Sequence, residues 1–580
     1  MRNALVSTCC SKIVVGMAVA TMLMSLSIKS AEAAVITTGD VTPPYPWTAA
    51  PTIGNTANGS VTVNGGSTVT VNGETKIAMT PGITGTLNVD GVGSRWNFNG
   101  FGVIRAGTSS LPQNFAGGTG ILNITNGGIV NTAVSMGDAF NSTGYLNITN
   151  GGILMLGGSL GSGSLSTGIA TVNGVGSRWD AGGAEIGSRG TGLLKILNGA
   201  TVSSRNGAVI GHFDTSNGRV IVDGPGSTWT LPGTGGIFSI GQGVASGGTG
   251  ARALVTVTNG ATLSNPGLTR MGQFSGAIGT VMVNGAGSSW SSVAAPGACA
   301  GGSPVPVCGL NVGMDGTGNV SVSDGATLTT NALYINNKSR LTVDLGTGST
   351  VTSTGVLTND GTIRLAAKAT ATNGTYAPIT AGTWNGAGTV QALGGVYNPT
   401  THSVTVSSAA TGQAGVATTI DPSVTQRMLI TDSATGQQVG ASFQATQSPS
   451  NISLIASLMC PSQLSLLQGL LDPGKAVLGA WNFSATGYTA GDPVYLSLQV
   501  GGGQKFYDLD VWHFDGTGWA KYLNTDLAYD NKFASFVANG FSGYAISGLA
   551  AVPIPAAVWL FGSGVIGLLG IARRKHMMKP

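Results

Sequence analysis

Residues 168–211 read GIATVNGVGSRWDAGGAEIGSRGTGLLKILNGATVSSRNGAVIG, from Gly168 to Gly211, and they hold one unit written twice. Each half opens on a short run, Ala170-Thr171-Val172 or Leu194-Lys195-Ile196. An Asn-Gly corner follows, at Asn173-Gly174 and at Asn198-Gly199, 25 residues apart. A bulky apolar position comes next, Trp179 or Val202, and each half ends on Ile-Gly, at Ile186-Gly187 or Ile210-Gly211. A unit that recurs at this period signals a repeat array, so fold and function are to be read from the array and from what is attached to its ends.

Working outward, the corners recur at Asn64, Asp90, Asn126, Asn150, Asn173, Asn198, Asp223, Asn259, Asn284 and Asp324, each followed by Gly. The runs before them alternate, as in Leu122/Ile124, Leu146/Ile148, Val220/Val222 and Val281/Val283. Alternation at period two means a strand with one buried face. A helix is excluded, because no apolar stripe at three-to-four spacing survives the glycine density. Each unit supplies about three short strands, and the sequence predicts a parallel β-helix with roughly a dozen coils, a rod on the order of 55–65 Å long. Residues 35–58, with Pro43, Pro44 and Pro46, are predicted to cover the first open coil.

Asn and Asp tolerate left-handed backbone and Gly adopts it freely, so Asp90, Asp223 and Asp324 are read as turn residues rather than catalytic acids. Stacked Asn side chains can also hydrogen-bond between coils. Trp96, Trp179, Trp229 and Trp290 follow Gly-Ser-x, in coils that alternate with ones carrying Val130, Val202 or Leu263 at the same point. A row of Trp can stack on sugars. The apolar partners at the same slot favour core filling.

Composition supports a packed chain. Gly is very high, at 95 of 580 residues, yet 42% of the chain is hydrophobic, more than a disordered segment carries. Net charge is +4 and no basic stripe appears, which argues against nucleic acid as a partner. Five cysteines are present. Cys9 and Cys10 precede a predicted cleavage site. Cys299 and Cys308 flank CAGGSPVPVC, read in an exported protein as a local disulfide. A metal pair is the alternative, but no His or third Cys lies near. Cys460 is read as a buried thiol, and no cofactor is called for.

Residues 1–33 read as a signal peptide: Arg2 and Lys12, an apolar segment from Ile13 to Leu26, then Ala31-Glu32-Ala33. The array spans 34–408 and a linker 409–420. From Asp421 glycine thins and aromatics rise, and eight short strands over 421–549 predict an antiparallel β-sandwich-like domain. Asp508 and Asp510 are placed on one face of a strand running from Phe506 to Phe514. With Asp515 they are weighed as a calcium site, against the reading of a solvated edge and a hairpin turn. Residues 550–580 carry Val552-Pro553-Ile554-Pro555-Ala556, an apolar run to Ala572 that spans ~25 Å as a transmembrane helix, and the basic stop Arg573-Arg574-Lys575.

Two resemblances follow from these residues. The alternation of Asn-Gly-x-Gly-Ser-x-Trp with Asn-Gly-Ala-Thr-Val, over residues 61–330, resembles the repeat shared by type V secretion passengers and PEP-CTERM proteins. The tail resembles a PEP-CTERM sorting signal of the Val-Pro-x-Pro-Ala variety, with Pro-Ile-Pro where the founding motif has Pro-Glu-Pro. The segment from Asp515-Gly516 to Tyr544 is similar to the terminal domain that often precedes such anchors. The resemblance implies recognition by an exosortase-type enzyme, a transient anchor in the inner membrane, and a setting of exopolysaccharide and biofilm. A permanent anchor is the alternative reading of the tail.

Together these point to an exported, non-enzymatic surface or matrix protein, with an adhesin or carbohydrate-binding role as the alternative. A β-helical lyase or hydrolase needs clustered acids with a base. His212 and Asp214 are read as an isolated loop pair that does not supply them. Self-transport needs a C-terminal barrel of many strands, which 421–549 is too short to form.

Overall fold

The computed structural model describes residues 34–100, 102–109, 115–233, 236–245, 248, 250–293, 309–445 and 451–550. The leader, the Cys299–Cys308 pair, the sorting motif 552–556, the apolar tail segment and the basic stop lie outside these residues. Among the described residues no helix is long and apolar enough to cross a membrane.

The array is a parallel β-solenoid of about 12 turns. The first strand of each turn joins a 14-stranded sheet, parallel throughout except for its first member. The second and third strands form two further parallel strips. In the opening unit these are Thr167–Asn173, Arg178–Ala181 and Ala184–Ile186, followed by Thr191–Leu197, Thr201–Ser204 and Gly207–Ile210. Ala170 stands against Leu194, Trp179 against Val202 and Ile186 against Ile210. Inward positions are fully buried and form one core along the rod. The four repeat tryptophans are at most 1% exposed. Three of their indole N–H groups are aimed at fixed acceptors, Trp179 at Leu156 O (3.0 Å), Trp229 at Ser204 Oγ (3.1 Å) and Trp290 at Asn265 Oδ1 (2.9 Å). They fill the core and present no ring to a sugar.

The two corner types differ in backbone. In the plain corner both residues are left-handed, Asn198 at φ 54° and Gly199 at φ 85°. In the Trp corner Gly174 and Gly176 take that role, at φ 89° and 84°. The serine before x-Trp then ties neighbouring coils together. Ser177 Oγ donates to Asn173 O (2.7 Å) and accepts from Gly151 N–H (3.1 Å). Ser227 and Ser288 repeat the device. Corner side chains bridge coils as well: Asn198 donates to Asn173 (2.7 Å), and Asn126 to Asp90 (2.7 Å).

Both ends of the rod are covered. Ala34–Gly39 pairs antiparallel with Gly59–Asn64, and Trp47 packs 5.8 Å from Trp96. After the last rung, Thr389–Leu393, a three-stranded antiparallel sheet sends Val404 and Val406 into the same core. The parallel stack therefore stops at 393, short of the expected 408.

Beyond it stand two six-stranded, mainly antiparallel sheets that share one core, with Met428, Leu496 and Phe536 from one and Leu454, Phe483 and Ile546 from the other. The expected linker is instead part of them. Ala410–Gln413 and Thr418–Ile420 are edge strands, one in each sheet, because their polar residues find ladder partners there. Gln438–Ser442 and Ala528–Tyr529 are also strands the pattern does not reveal. A short helix, Pro461–Gln468, follows the strand Ile452–Leu458. Cys460 caps that helix and is exposed, not buried, with Sγ 3.1 Å from Ser462 Oγ. The strand expected from Phe506 begins only at Asp510, after a 3-10 turn over Phe506–Asp508. Asp508 and Asp510 therefore do not share a strand face. Asp510 is ion-paired with Lys475 (2.6 Å) and Lys521 (3.3 Å). Among the described residues no three His, Cys, Asp or Glu side chains gather as a metal site. Asp515 serves its turn, accepting from the N–H groups of Thr517 and Gly518, which hold its carboxyl down at about 2.

The sandwich packs on the outer face of the 14-stranded sheet. Met282 joins the sandwich core, and Leu254 packs against it. Asn284 exchanges two hydrogen bonds with the Tyr529 backbone (2.9 and 3.0 Å), and Arg219 donates to Tyr507 O (2.8 Å). Arg364 pairs with Asp526 (3.3 Å). Lys368, almost fully buried, contacts Asp324, Asp344 (3.6 Å) and Asp530 (3.1 Å). Burial works against the Lys368 charge, but these carboxylates outweigh it and raise the ammonium above its usual range. Burial in turn pushes Asp324 and Asp344 up.

Candidate functional site: a polar furrow along the third strip

The third strand of each coil has one outward position, immediately before the apolar-Gly pair. Stacked in register, these positions run Arg105, Ser135, Ser159, Glu185, Val209, Ser239, Arg270. At ~4.8 Å per coil the row is on the order of 30 Å long. Their neighbours in each strand, such as Ile104, Ile186 and Ile240, point into the core. The loops that follow supply a wall: Asp138, Ser162, Arg189, Gln242 and Gln273. The result is an open furrow in two stretches of roughly 420 and 600 Å³, with Glu185 lining both.

Hydroxyls crowd the first stretch. Ser159 and Ser162 lie 2.6 Å apart, and Ser135 is 2.8 Å from Ser162. Asp138 accepts from Ser135 (2.6 Å), Thr108 (3.1 Å) and Arg105 (2.9 Å). Arg105 also reaches Glu74 (3.2 Å). Burial opposes the Arg105 charge, but Asp138 and Glu74 outweigh it and hold the guanidinium above its ordinary value.

At the shared point Glu185 faces His212 Nδ1 at 3.4 Å, across adjacent coils. The His212 ring at that distance is the main cause that holds the Glu185 carboxyl below its ordinary value. His212 stacks on Phe213, whose other contact is the Arg189 guanidinium, 4.6 Å from the ring centre. The expectation that His212 stands apart is therefore corrected: coil stacking brings it to an acid 27 residues earlier in the chain. In the second stretch Arg270 lies beside Ser239, and Ser239 donates to Gln273 Oε1 (3.2 Å).

Such a surface can hold a long polyhydroxylated chain through many hydrogen bonds, each weak alone and additive along the rod. None of the furrow residues other than His212 is singled out by motif. The signal was nonetheless available, since the residue before each Ile-Gly or its equivalent is often polar. Only the stacking shows that these residues form one row.

No protein-family model and no curated protein matches the chain. Among solved structures, the enzymatically active domain of bacteriophage CBA120 tailspike protein 4 is similar at 10% identity, with a TM-score of 0.17. The match covers 84% of this chain and spans 62% of that chain's length.

Proposed function

We propose that this chain is an exported, non-enzymatic cell-surface or matrix protein whose rod associates with exopolysaccharide along the furrow. The observation that carries this reading is the register of the third strip, which aligns hydroxyl, amide and charged side chains coil after coil. In the first stretch and at the shared point the ionic groups face partners: Arg105 meets Glu74 and Asp138, and Glu185 lies 3.4 Å from His212. That arrangement favours holding a glycan over cleaving one. In this reading the leader 1–33 exports the protein, an exosortase-type enzyme acts at Val552–Ala556, and the basic stop keeps the tail on the cytoplasmic side of the inner membrane until then.

Affinity electrophoresis of the exported protein through gels cast with polysaccharide tests the furrow. Retardation is expected, and it should be lost when Ser135, Ser159 and Ser162 are replaced together by Val. Unretarded migration at high polymer density overturns the reading. Mass spectrometry of the exported protein's C-terminus tests the sorting step. A chain ending near the Pro motif is expected, and one that reaches Pro580 in cells holding the sorting enzyme overturns it.

A second reading, glycan cleavage, draws on the Glu185–His212 contact alone. It predicts new reducing ends from a polysaccharide incubated with the protein and their loss in Glu185→Gln.

A further inference from the structure

The furrow is not the same along its length. In its first stretch the cation Arg105 has two carboxylate partners. In its second stretch Arg270 has no ion pair among the described residues, and its Nε is shut off from solvent without a hydrogen-bond partner. Arg270 as a whole is half-buried and lines the furrow, and an unpaired guanidinium there is met best by an anion that arrives in the plane of its fork. The side chains around it are short or amide: Ser239 and Asn311 stand on the adjacent rungs, with Gln242 and Gln273 in the wall. Ser239 occupies the Gln273 carbonyl oxygen, which leaves the amide NH2 as a donor. In this row the carboxylate, Glu185, lies three rungs away, ~14 Å along it, beside His212.

We propose that the Arg270 end of the furrow binds the carboxylate of an acidic polysaccharide, so that the preferred ligand is a uronate-containing chain rather than a neutral one. This rests on the furrow reading above and adds a sign of charge and a position to it. Arg270 supplies a charge-assisted fork, Gln273 an amide donor, and the span back to Glu185 accommodates about three sugar rings at ~5 Å each. Val209, one rung from Glu185 and two from Arg270, gives the ring faces an apolar contact.

The test uses the purified exported protein and three polymers: polygalacturonate, its carboxyl-reduced form, and dextran. Affinities are compared for the parent, Arg270→Gln, Arg270→Lys, and Arg95→Gln as a cation on the second strip, outside the furrow. Thermal midpoints confirm that each variant is folded. Polygalacturonate is expected to bind more tightly than its carboxyl-reduced form. Arg270→Gln should lower that affinity about tenfold, the scale of one charge-assisted hydrogen bond, and remove the preference. Arg270→Lys should recover part of it, and Arg95→Gln should change nothing. Equal binding of the acidic and reduced polymers overturns this inference and leaves the furrow reading standing. Equal losses in Arg270→Gln and Arg95→Gln also overturn it, as general charge attraction. Failure of all three polymers to bind overturns the furrow reading itself, and this inference with it.

Discussion

The first and second halves of the rod are built from the same unit, yet their 14-stranded sheet meets different surroundings. Over Thr119–Leu197 its outer face is open, and burial alternates strictly along each strand. From Asn217 onward the outer face lies beneath the sandwich, and strands such as Ile278–Asn284 and Thr317–Ser323 are buried on both faces. The inward residues barely change between halves. Along the row through Asn123 the outward side chains go from Asn123, Asn147, Thr171 and Lys195 to Ile221, Thr256 and Met282, while the row beside it runs the other way, from Ile121, Tyr145, Ile169 and Leu193 to Arg219, Leu254 and Thr280. The period of the strand therefore reports the core, while the opposite face carries no single polarity that would report its cover.

The largest effect should come from the core, and it should be equal in both halves. Trp179→Ala and Trp229→Ala each remove a fully buried indole, and each should cost about 3–5 kcal/mol by chemical denaturation. If Trp229→Ala were markedly milder, the sandwich would be supporting the coils beneath it, and the inward faces would not be equivalent.

Next comes a change that should touch the covered half alone. Lys368→Met leaves Asp324 and Asp344 buried without their cation, a loss of about 3 kcal/mol near pH 8. Both carboxyls are raised by burial, so the folded state binds protons more tightly than the unfolded one. A raised acid stabilises the fold at low pH and loses that contribution as pH rises through its folded value. Removing Lys368 raises both acids further. The variant's deficit should therefore shrink as pH falls from 8 towards 5. A deficit that is constant with pH would show that these acids do not titrate at the junction. Hydrogen exchange should show the opening confined to rungs under the sandwich, with residues 119–197 protected as before.

A smaller effect separates the two corner types. Ser177→Ala strands the Gly151 N–H and should cost about 1–2 kcal/mol, with faster exchange at that amide. The plain corner already carries Ala200 at the matching point, and Thr201→Ala beside it removes no such bridge and should be near neutral.

Much of this architecture was legible in the sequence because the repeat writes its core at period two and its corners in Asn-Gly. The three strands per unit, the buried tryptophans and the N-terminal cover all follow from that pattern. The docking of the sandwich was not legible, although Ile221 and Met282 break the polar row of Asn123, Asn147, Thr171 and Lys195. Each is a single residue in its strand, and a lone exposed apolar side chain carries no signal until its neighbours are stacked beside it. Residues 409–420 read as a linker because their polar, small side chains hide edge pairing, which lies in the backbone. The furrow failed to show for a related reason. Its residues are some 24–41 apart in the chain, and register alone makes them neighbours.

The smallest effect lies at the N-terminal cover of the rod, and it sharpens the contrast with the junction under the sandwich. Asp40 Oδ2 accepts from the N–H groups of Asn55, Thr56 and Ala57 and from the Thr56 hydroxyl, at 2.6–3.2 Å. These donors, the Thr56 N–H first, hold its carboxyl down at about 2. A depressed acid stabilises above its unfolded value, near 3.9, and that contribution is lost as pH falls through the folded value. The sign is opposite to that of Asp324 and Asp344. Asp40→Asn should loosen Ala34–Gly39 at pH 5, read as faster amide exchange in the strand pair Ala34–Gly39 and Gly59–Asn64, and should match the parent at pH 2. Because the site is solvent-exposed, the global unfolding midpoint should hardly move. Acid should thus weaken the N-terminal cover while it relieves the junction under the sandwich. Fraying of both ends together on acidification would break that opposition.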